Sequence, residues 1–109
     1  MKRVLFLVNH DVVIYNFRLE LVERLIKVGY EVHVSSPYGE RIDYLIKMGV
    51  KYHPILMERH GMNLFKERML LETYKLLYKK VRPDVVLGHT IKPNIYGAIA
   101  AKEMGIPFI

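Results

Sequence analysis

Residues 4–35 decide the fold, and they read VLFLVNHDVVIYNFRLELVERLIKVGYEVHVS. Residues 4–8 form a continuous apolar run, which is typical of a parallel strand buried on both faces. Apolar side chains then recur at helical spacing from 19 to 28, and Gly29 is predicted to end that helix. A second short strand follows over residues 31–35. This order predicts two parallel strands joined by a crossover helix.

The same alternation continues to residue 109. It predicts strands over 50–55, over 85–87 and from 107, and helices over 40–48, 64–81 and 93–104. Asn16 and Asn63 are the predicted N-caps of the first and third helices. The order β-α-β-α-β-α-β-α-β predicts an α/β protein with a Rossmann-like parallel sheet.

Length and composition narrow the class further. The 109 residues suit one domain, and the absence of Cys excludes a disulfide scaffold and favours a reducing cytoplasm. No apolar run approaches the roughly 20 residues that span a bilayer. Because the sequence stops inside a strand signal, we expect residues 1–109 to be the N-terminal part of a longer protein.

The net charge of +6 indicates an anionic partner, although solubility alone is an alternative. Most of this charge lies between residues 57 and 82, where apolar side chains interrupt the basic ones. Such a segment can rest on an anionic membrane surface, and the alternative is a solvated helix face. No nucleic-acid motif accompanies the charge, so no nucleic-acid partner is predicted. The membrane-contact candidates are Arg59, Met62, Phe65, Lys66 and Arg68.

Ligands of parallel α/β sheets bind beyond the carboxyl ends of the strands, so polar residues there are the candidate site. The predicted strand ends are followed by residues 9–16, 35–39, 57–63 and 88–94. Their side chains suit a polyhydroxyl or phosphate ligand, whereas turn formation, helix capping and packing are the alternatives. The candidate catalytic residues are His89 and His10. The candidate binding residues are Asn9, His10, Asn16, Thr90, Lys92 and Asn94.

Several functions lose support because their motifs are missing. The sequence contains no G-x-G-x-x-G fingerprint, no P-loop and no G-x-S-x-G elbow. No two histidines stand at the i, i+4 spacing of a helical metal site, so no metal site is predicted. His33 and His53 fall inside strand patterns and are predicted to be structural.

Five segments together resemble the N-terminal domain of bacterial family-4 glycosyltransferases, above all those of capsule, exopolysaccharide and O-antigen loci. They are VNHD at 8–11, YNFR at 15–18, SSPYGE at 35–40, PDVVL at 83–87 and TIKPNIYG at 90–97. The resemblance covers essentially the whole chain. One difference is that many members place two glycines after the first strand, where this sequence has Asn9, His10 and Asp11.

The resemblance implies a GT-B architecture, in which two Rossmann-like domains face each other across a cleft. It implies that residues 1–109 bind the acceptor, a lipid-linked sugar or another saccharide. A C-terminal domain outside this chain would hold the nucleotide-sugar donor. Transfer would be retaining and need neither metal nor cofactor, at the inner face of the cell membrane. The 109 residues alone are expected to be inactive.

Two other functions remain open from the sequence. One is a non-catalytic subunit that binds the acceptor or anchors a separately encoded donor domain at the membrane. The other is part of a GT-B nucleotide-sugar 2-epimerase.

Overall fold

The computed structural model describes residues 2–56 and 64–109, and within them strands and helices alternate along the chain. The strands are β1 (Arg3–Leu7), β2 (Glu31–Ser36), β3 (Lys51–Pro54) and β4 (Val85–Gly88). The helices are α1 (Asp11–Phe17), α2 (Leu19–Lys27), α3 (Arg41–Lys47), α4 (Leu64–Val81) and α5 (Ile91–Met104).

The four strands form one parallel sheet in the order β3-β2-β1-β4. Val4 of β1 pairs with Val32 of β2 on one side and with Val85 of β4 on the other. The strands β2 and β3 therefore lie on one side of β1, and β4 lies on its opposite side. The predicted α/β class and the Rossmann-like parallel sheet are confirmed.

The core lies on both faces of this sheet. Val4, Phe6 and Val8 pack with residues of α1, α2 and α3, whereas Leu5 and Leu7 pack with residues of α4 and α5. Because successive side chains of a strand point to opposite faces, both sets must be apolar. This two-sided burial explains why the run from 4 to 8 is continuous rather than alternating.

The first predicted helix begins where expected, as α2, but its predicted cap is wrong and a helix before it was missed. The segment 9–16 was expected to be a polar loop with Asn16 as an N-cap, yet α1 occupies Asp11–Phe17 and Asn16 lies in its last turn. His10 is the N-cap of α1, and α2 begins after Arg18 with no side-chain cap. The predicted cap at Asn63 lies outside the described residues.

The predicted fifth strand is present only as an isolated parallel bridge between Val86 and Phe108. Around it, Val86 N donates to Pro107 O and Ile109 N donates to Val86 O, each at 2.9 Å. The last residues therefore lie beside β4 but form a shorter pairing than a strand.

Gly97 marks a close approach between α5 and the sheet. A Cβ atom added there would lie 2.5 Å from Leu7 Cδ1 and 3.2 Å from the Tyr78 hydroxyl oxygen. That hydroxyl is itself fixed, since it donates to the Gly97 carbonyl at 2.9 Å in a buried hydrogen bond. The absence of a side chain lets α5 rest directly on β1 and α4.

Substituting Gly97→Ala is expected to lower the free energy of unfolding by about 1–3 kcal/mol, because the added methyl overpacks this contact. Chemical denaturation measures the change. In a solvent-exposed helix the same substitution would stabilise by about 1 kcal/mol, so a stabilised variant would contradict the close approach.

His33 and His53 are structural, as predicted from their strand positions. His33 Nε2 lies 2.7 Å from Glu31 Oε1, and His33 Nδ1 lies 2.8 Å from His53 Nε2. With the carboxylate as acceptor, the neutral rings donate in sequence from His53 to His33 and from His33 to Glu31. Burial lowers the pKa of His53 to about 4, and it also lowers the pKa of His33, which the Glu31 contact opposes.

Stability is therefore expected to fall on acidification. A histidine whose folded pKa lies below its ordinary value of 6.5 binds fewer protons folded than unfolded. The contribution of His53 to the free energy of unfolding is full above pH 6.5, and it is lost as the pH falls from 6.5 towards about 4. Denaturation midpoints compared at about pH 7 and about pH 5 measure the loss. His53→Gln, which keeps a donor for His33, should flatten the decline, and an unchanged decline would contradict this cause.

Candidate functional site

The topology of the sheet places one crevice at its carboxyl edge, between β1 and β4. The strand order reverses there, and such a reversal separates the loops that follow the two strands and leaves room for a ligand. Leu7 pairs with Gly88, and the His89 amide donates to the Leu7 carbonyl at 2.9 Å. The residues that follow β1 and those that follow β4 therefore lie side by side. We use the name switch-point edge for these two loops, residues 8–10 and 89–90, together with Arg18.

Helix α1 is held at its N-terminal end by Asp11. This side chain is only 2% exposed, and its Oδ2 accepts from the Arg41 amide at the start of α3 at 2.9 Å. A Cβ atom on Gly39 would collide with the Asp11 carboxylate, so the loop before α3 fits closely around it. Sequence reasoning missed this role, because the partner of Asp11 lies 30 positions away.

The C-terminal end of α1 is tied to β4 through Arg18. Its Nε–H donates to His89 Nε2 at 3.1 Å, and the His89 ring stacks on Phe6 with 5.9 Å between the ring centroids. With Asp11 reaching α3 and Arg18 reaching the loop after β4, α1 crosses the carboxyl edge of the sheet. Arg18 is a second residue that sequence reasoning did not assign to the site.

The contact with Arg18 determines the tautomer of His89. A guanidinium can only donate, so Nε2 of His89 must be the unprotonated acceptor and the neutral ring carries its proton on Nδ1. Burial lowers the pKa of His89 and the charge of Arg18 lowers it further, while an interaction with the Leu87 backbone opposes both. His89 is thus held neutral, and a ligand reaches Nε2 only if Arg18 moves.

The other candidates from the first loop lie at both ends of α1. His10 is half-buried at the N-cap, where its Nδ1 accepts from the Val12 amide at 3.1 Å. Asn9 is half-buried directly after β1, and Asn16 is exposed in the last turn of α1. Asn9 and His10 therefore lie at the switch-point edge, whereas Asn16 lies near Arg18.

Thr90 has a strained backbone at the start of α5. Its φ of 71° and ψ of 177° fall in a region that is almost confined to glycine. Its hydroxyl donates to the His89 carbonyl and makes no cap to α5. Strain of this kind costs about 1–3 kcal/mol and is found preferentially at functional sites.

Lys92 and Asn94 are placed differently within α5. The Lys92 ammonium lies 2.8 Å from Glu67 Oε1, and both side chains are largely buried, so this ion pair joins α5 to α4. Asn94 is exposed, and its Oδ1 occupies the space where a side chain on Gly88 would stand. Asn94 therefore lies near the end of β4, and Lys92 lies towards α4.

A cavity of about 630 Å³ opens between the end of β3 and the first turns of α4. Leu64 and Phe65 beside it are 85% and 73% exposed, next to exposed Lys66 and Arg68. Arg59 and Met62, the other membrane-contact candidates, lie outside the described residues. The cavity is lined by Pro54, Ile55, Leu56, Lys66, Glu67, Met69, Leu70, Thr73 and Lys92.

None of the helices within residues 2–56 and 64–109 is long and apolar enough to cross a membrane. The same residues contain no group of three or more His, Cys, Asp or Glu side chains positioned to hold a metal ion.

The sequence matches a protein family over nearly its whole length. Residues 3–109 match the family described as Glycosyl transferase 4-like, and the chain belongs to that family. No curated protein matches the sequence.

Solved structures show the same architecture. A glycosyltransferase from Rickettsia africae aligns with a TM-score of 0.83 at 18% identity, covering 98% of this chain and 28% of that one. MurG from Acinetobacter baumannii aligns with a TM-score of 0.74 at 20% identity, and the alignment covers 99% of this chain and 33% of MurG. UDP-GlcNAc 2-epimerase from Neisseria meningitidis, solved with UDP-GlcNAc bound, aligns with a TM-score of 0.64 at 15% identity. That alignment covers 97% of this chain and 31% of the epimerase. The chain spans a third or less of the length of each.

Substituting Thr90→Gly is expected to raise the free energy of unfolding by about 1 kcal/mol. Glycine relieves the backbone strain at positive φ. The free energy gained in this way exceeds the cost of ordering the more flexible glycine backbone on folding. Denaturation with urea measures the change. The matched control is Thr73→Gly in α4, which should destabilise by roughly 1 kcal/mol because its backbone is helical. Equal destabilisation of both variants would show that Thr90 is unstrained.

Proposed function

We propose that this chain is the acceptor-binding half of a retaining GT-B glycosyltransferase of surface polysaccharide synthesis. A second domain would hold the nucleotide-sugar donor across a cleft. The acceptor would be a lipid-linked sugar or another saccharide, and the reaction would take place at the cytoplasmic face of the membrane. Neither a metal ion nor another cofactor would take part.

The observation that carries this proposal is the switch-point edge itself. The pairing of Leu7 with Gly88 places the loop that contains His10 and the loop that contains Thr90 after neighbouring strands, at the edge where α/β sheets bind ligands. Family membership gives this crevice a function, because a glycosyltransferase must hold a hydroxylated acceptor beside its donor. Imidazole, amide and hydroxyl groups suit a polyhydroxyl ligand.

Each candidate residue has a role that follows from its position. Asn9 and His10 would hydrogen-bond the acceptor from the β1 side, and Thr90 and Asn94 would do so from the β4 side. His89 would shape the crevice from below, since its Nε2 accepts from Arg18. Asn16 would contact a ligand that extends along α1, and Lys92, whose charge is paired with Glu67, would contact it only through an N–H of its ammonium.

The chemistry of such a cleft rests on positioning. Holding the acceptor hydroxyl beside the donor sugar turns a bimolecular step into an effectively unimolecular one. Fixed N–H donors and positive charge would stabilise the nucleoside diphosphate as it leaves. The strained backbone at Thr90 would contribute by keeping the carbonyls and amides of residues 89 and 90 in one fixed arrangement.

Contact with a membrane is part of the proposal. Leu64 and Phe65 project from the first turn of α4, and Lys66 and Arg68 are exposed on the same turn and the next. Apolar side chains flanked by cations are the pattern of a surface that rests on anionic lipid. A lipid-linked acceptor would then reach the carboxyl edge without leaving the bilayer.

One observation favours a second candidate function, a nucleotide-sugar 2-epimerase. The Neisseria epimerase shares this fold over nearly the whole chain. An epimerase would convert a nucleotide-sugar with no acceptor present, which separates the two functions experimentally.

The complete protein that carries this chain is the material for the test. It is incubated with a panel of radiolabelled nucleotide-sugars and a bacterial lipid extract, and label entering the organic phase is measured. Transfer of sugar into lipid or saccharide supports the proposal. Conversion of the nucleotide-sugar in the absence of acceptor supports the epimerase instead.

Two substitutions then assign the site. His10→Ala and Asn94→Ala should each lower turnover by roughly tenfold or more, the loss expected for a hydrogen bond made in the transition state. Lys27→Ala, which removes an exposed cation at the end of α2, is the control and should stay within about twofold. Unchanged turnover in both site variants would remove the switch-point edge from the acceptor site.

A further inference from the structure

Several tyrosine side chains lie together at the carboxyl edge, around α1 and α3. The ring centroids of Tyr15 in α1 and Tyr44 in α3 are 5.7 Å apart, and those of Tyr38, in the loop after β2, and Tyr52 in β3 are 6.5 Å apart. Tyr38 is 64% exposed, Tyr44 is 57% exposed and Tyr15 is half-buried. We use the name tyrosine patch for Tyr15, Tyr38 and Tyr44.

The ring of Tyr38 is held in one orientation although it is exposed. Its hydroxyl donates to Asp43 Oδ2 at 3.0 Å, and its ring meets the Tyr52 ring edge to face, with 64° between the two planes. The Tyr52 hydroxyl in turn donates to the Ser36 carbonyl at 2.7 Å. An aromatic side chain that is already oriented loses little conformational freedom when a ligand packs against it. Tyr38 therefore offers a fixed contact surface.

The other two rings of the patch are positioned by α3. Tyr44 lies on the outer face of this helix, because Ile42 and Leu45 occupy its buried face. The Arg41 guanidinium carbon lies 5.9 Å from the centroid of the Tyr15 ring, within the range of a cation–π interaction. The patch therefore keeps aromatic surface in water, and a ligand that covers this surface gains free energy.

The patch continues the switch-point edge towards β2. The Asp11 carboxylate lies between them, since its Oδ1 is 2.9 Å from His10 Nδ1 and a Cβ atom on Gly39 would collide with it. Gly39 directly follows Tyr38 in the chain. The hydrogen bond with Asp43 raises the pKa of Tyr38, and the charge of Asp11 adds to this rise. A ligand that contacts His10 therefore reaches Tyr38 by extending past one side chain.

The chemistry around Tyr38 suits an uncharged sugar ring. The face of an aromatic ring carries a negative quadrupole, and the less polar face of a sugar ring presents C–H groups whose hydrogens are slightly positive. Glu40 and Asp43 are exposed beside Tyr38, and their carboxylates accept hydrogen bonds from the hydroxyls of such a ring. The same two carboxylates would repel a phosphate group.

We propose that the tyrosine patch is a second sugar subsite, which binds the ring that follows the reacting sugar in the acceptor. The inference rests on the proposed function and deepens it, since the preferred acceptor is then at least a disaccharide. The reacting sugar would lie at His10, and the next ring would pack on Tyr38.

Binding is tested on the complete protein that carries this chain, separately from transfer. The probes are matched pairs of a free monosaccharide and its disaccharide, built from glucose, galactose, mannose or N-acetylglucosamine. Ligand-detected magnetic resonance titrations measure the affinities. In at least one pair the disaccharide should bind about five- to tenfold more tightly, the gain expected from one aromatic contact. Tyr38→Ala should abolish this gain, whereas Tyr38→Phe, which keeps the ring, should retain most of it.

Two further variants complete the binding test. Tyr44→Ala should also reduce the gain. Leu76→Ala is the matched control, because it removes an exposed apolar side chain from α4, which packs on the opposite face of the sheet. It should leave both affinities within about twofold. The inference is overturned if no disaccharide binds saturably, if the members of every pair bind equally, or if the gain survives in both tyrosine-to-alanine variants.

A kinetic readout separates this inference from the proposed function. With an acceptor found in the transfer assay, Tyr38→Ala should raise KM for the acceptor and leave kcat nearly unchanged, because the contact lies away from the bond that forms. If a monosaccharide acceptor is used as well as its disaccharide, the second subsite is wrong and the glycosyltransferase stands. If the disaccharide preference depends on Tyr38 but no transfer occurs, the subsite stands and the glycosyltransferase is wrong.

Discussion

The pairing of β1 with β4 is the constraint on which the rest of this structure depends. The His89 amide and the Leu7 carbonyl form its last hydrogen bond, and that bond ends the sheet where the two loops separate. Had β4 added beside β3 instead, the loops after β1 and β4 would lie at opposite sides of the sheet. The reversed order therefore creates the crevice, and the residues that follow each strand determine its chemistry.

Helix α1 converts that topology into a fixed geometry. Asp11 attaches its beginning to α3, and Arg18 attaches its end to the loop after β4. Buried Ile14 anchors the helix in the core between these two attachments. A seven-residue helix has little stability of its own, so these contacts hold it across the edge. The strained Thr90 lies beside the same edge, which indicates that the surrounding contacts, not local preference, set its conformation.

Elements whose apolar residues recur with a regular period were predicted from the sequence. Elements held in place by contacts between distant residues were not. The apolar run of β1 and the helical spacing of α2 are repeated, strong signals, so both were located closely. In α1, the β-branched run of Val12, Val13 and Ile14 has poor helix propensity, and its contacts with α3 and β4 override that preference.

The same limit applies to the candidate site. Polar clusters after strands correctly indicated His10, His89 and Thr90 as neighbours of the carboxyl edge, because parallel strands end together. The ion pair of Lys92 with Glu67 joins two helices, and the bond of Arg18 to His89 joins residues 71 positions apart. Neither leaves a local pattern, so only the folded structure assigns these partners.

The most direct measurement is a crystal structure of the complete protein with an acceptor saccharide bound. Acceptor hydroxyls are expected within hydrogen-bond distance of His10 or Thr90, beyond the carboxyl ends of β1 and β4. An acceptor seated only in the cavity between β3 and α4, with the switch-point edge unoccupied, would contradict this expectation.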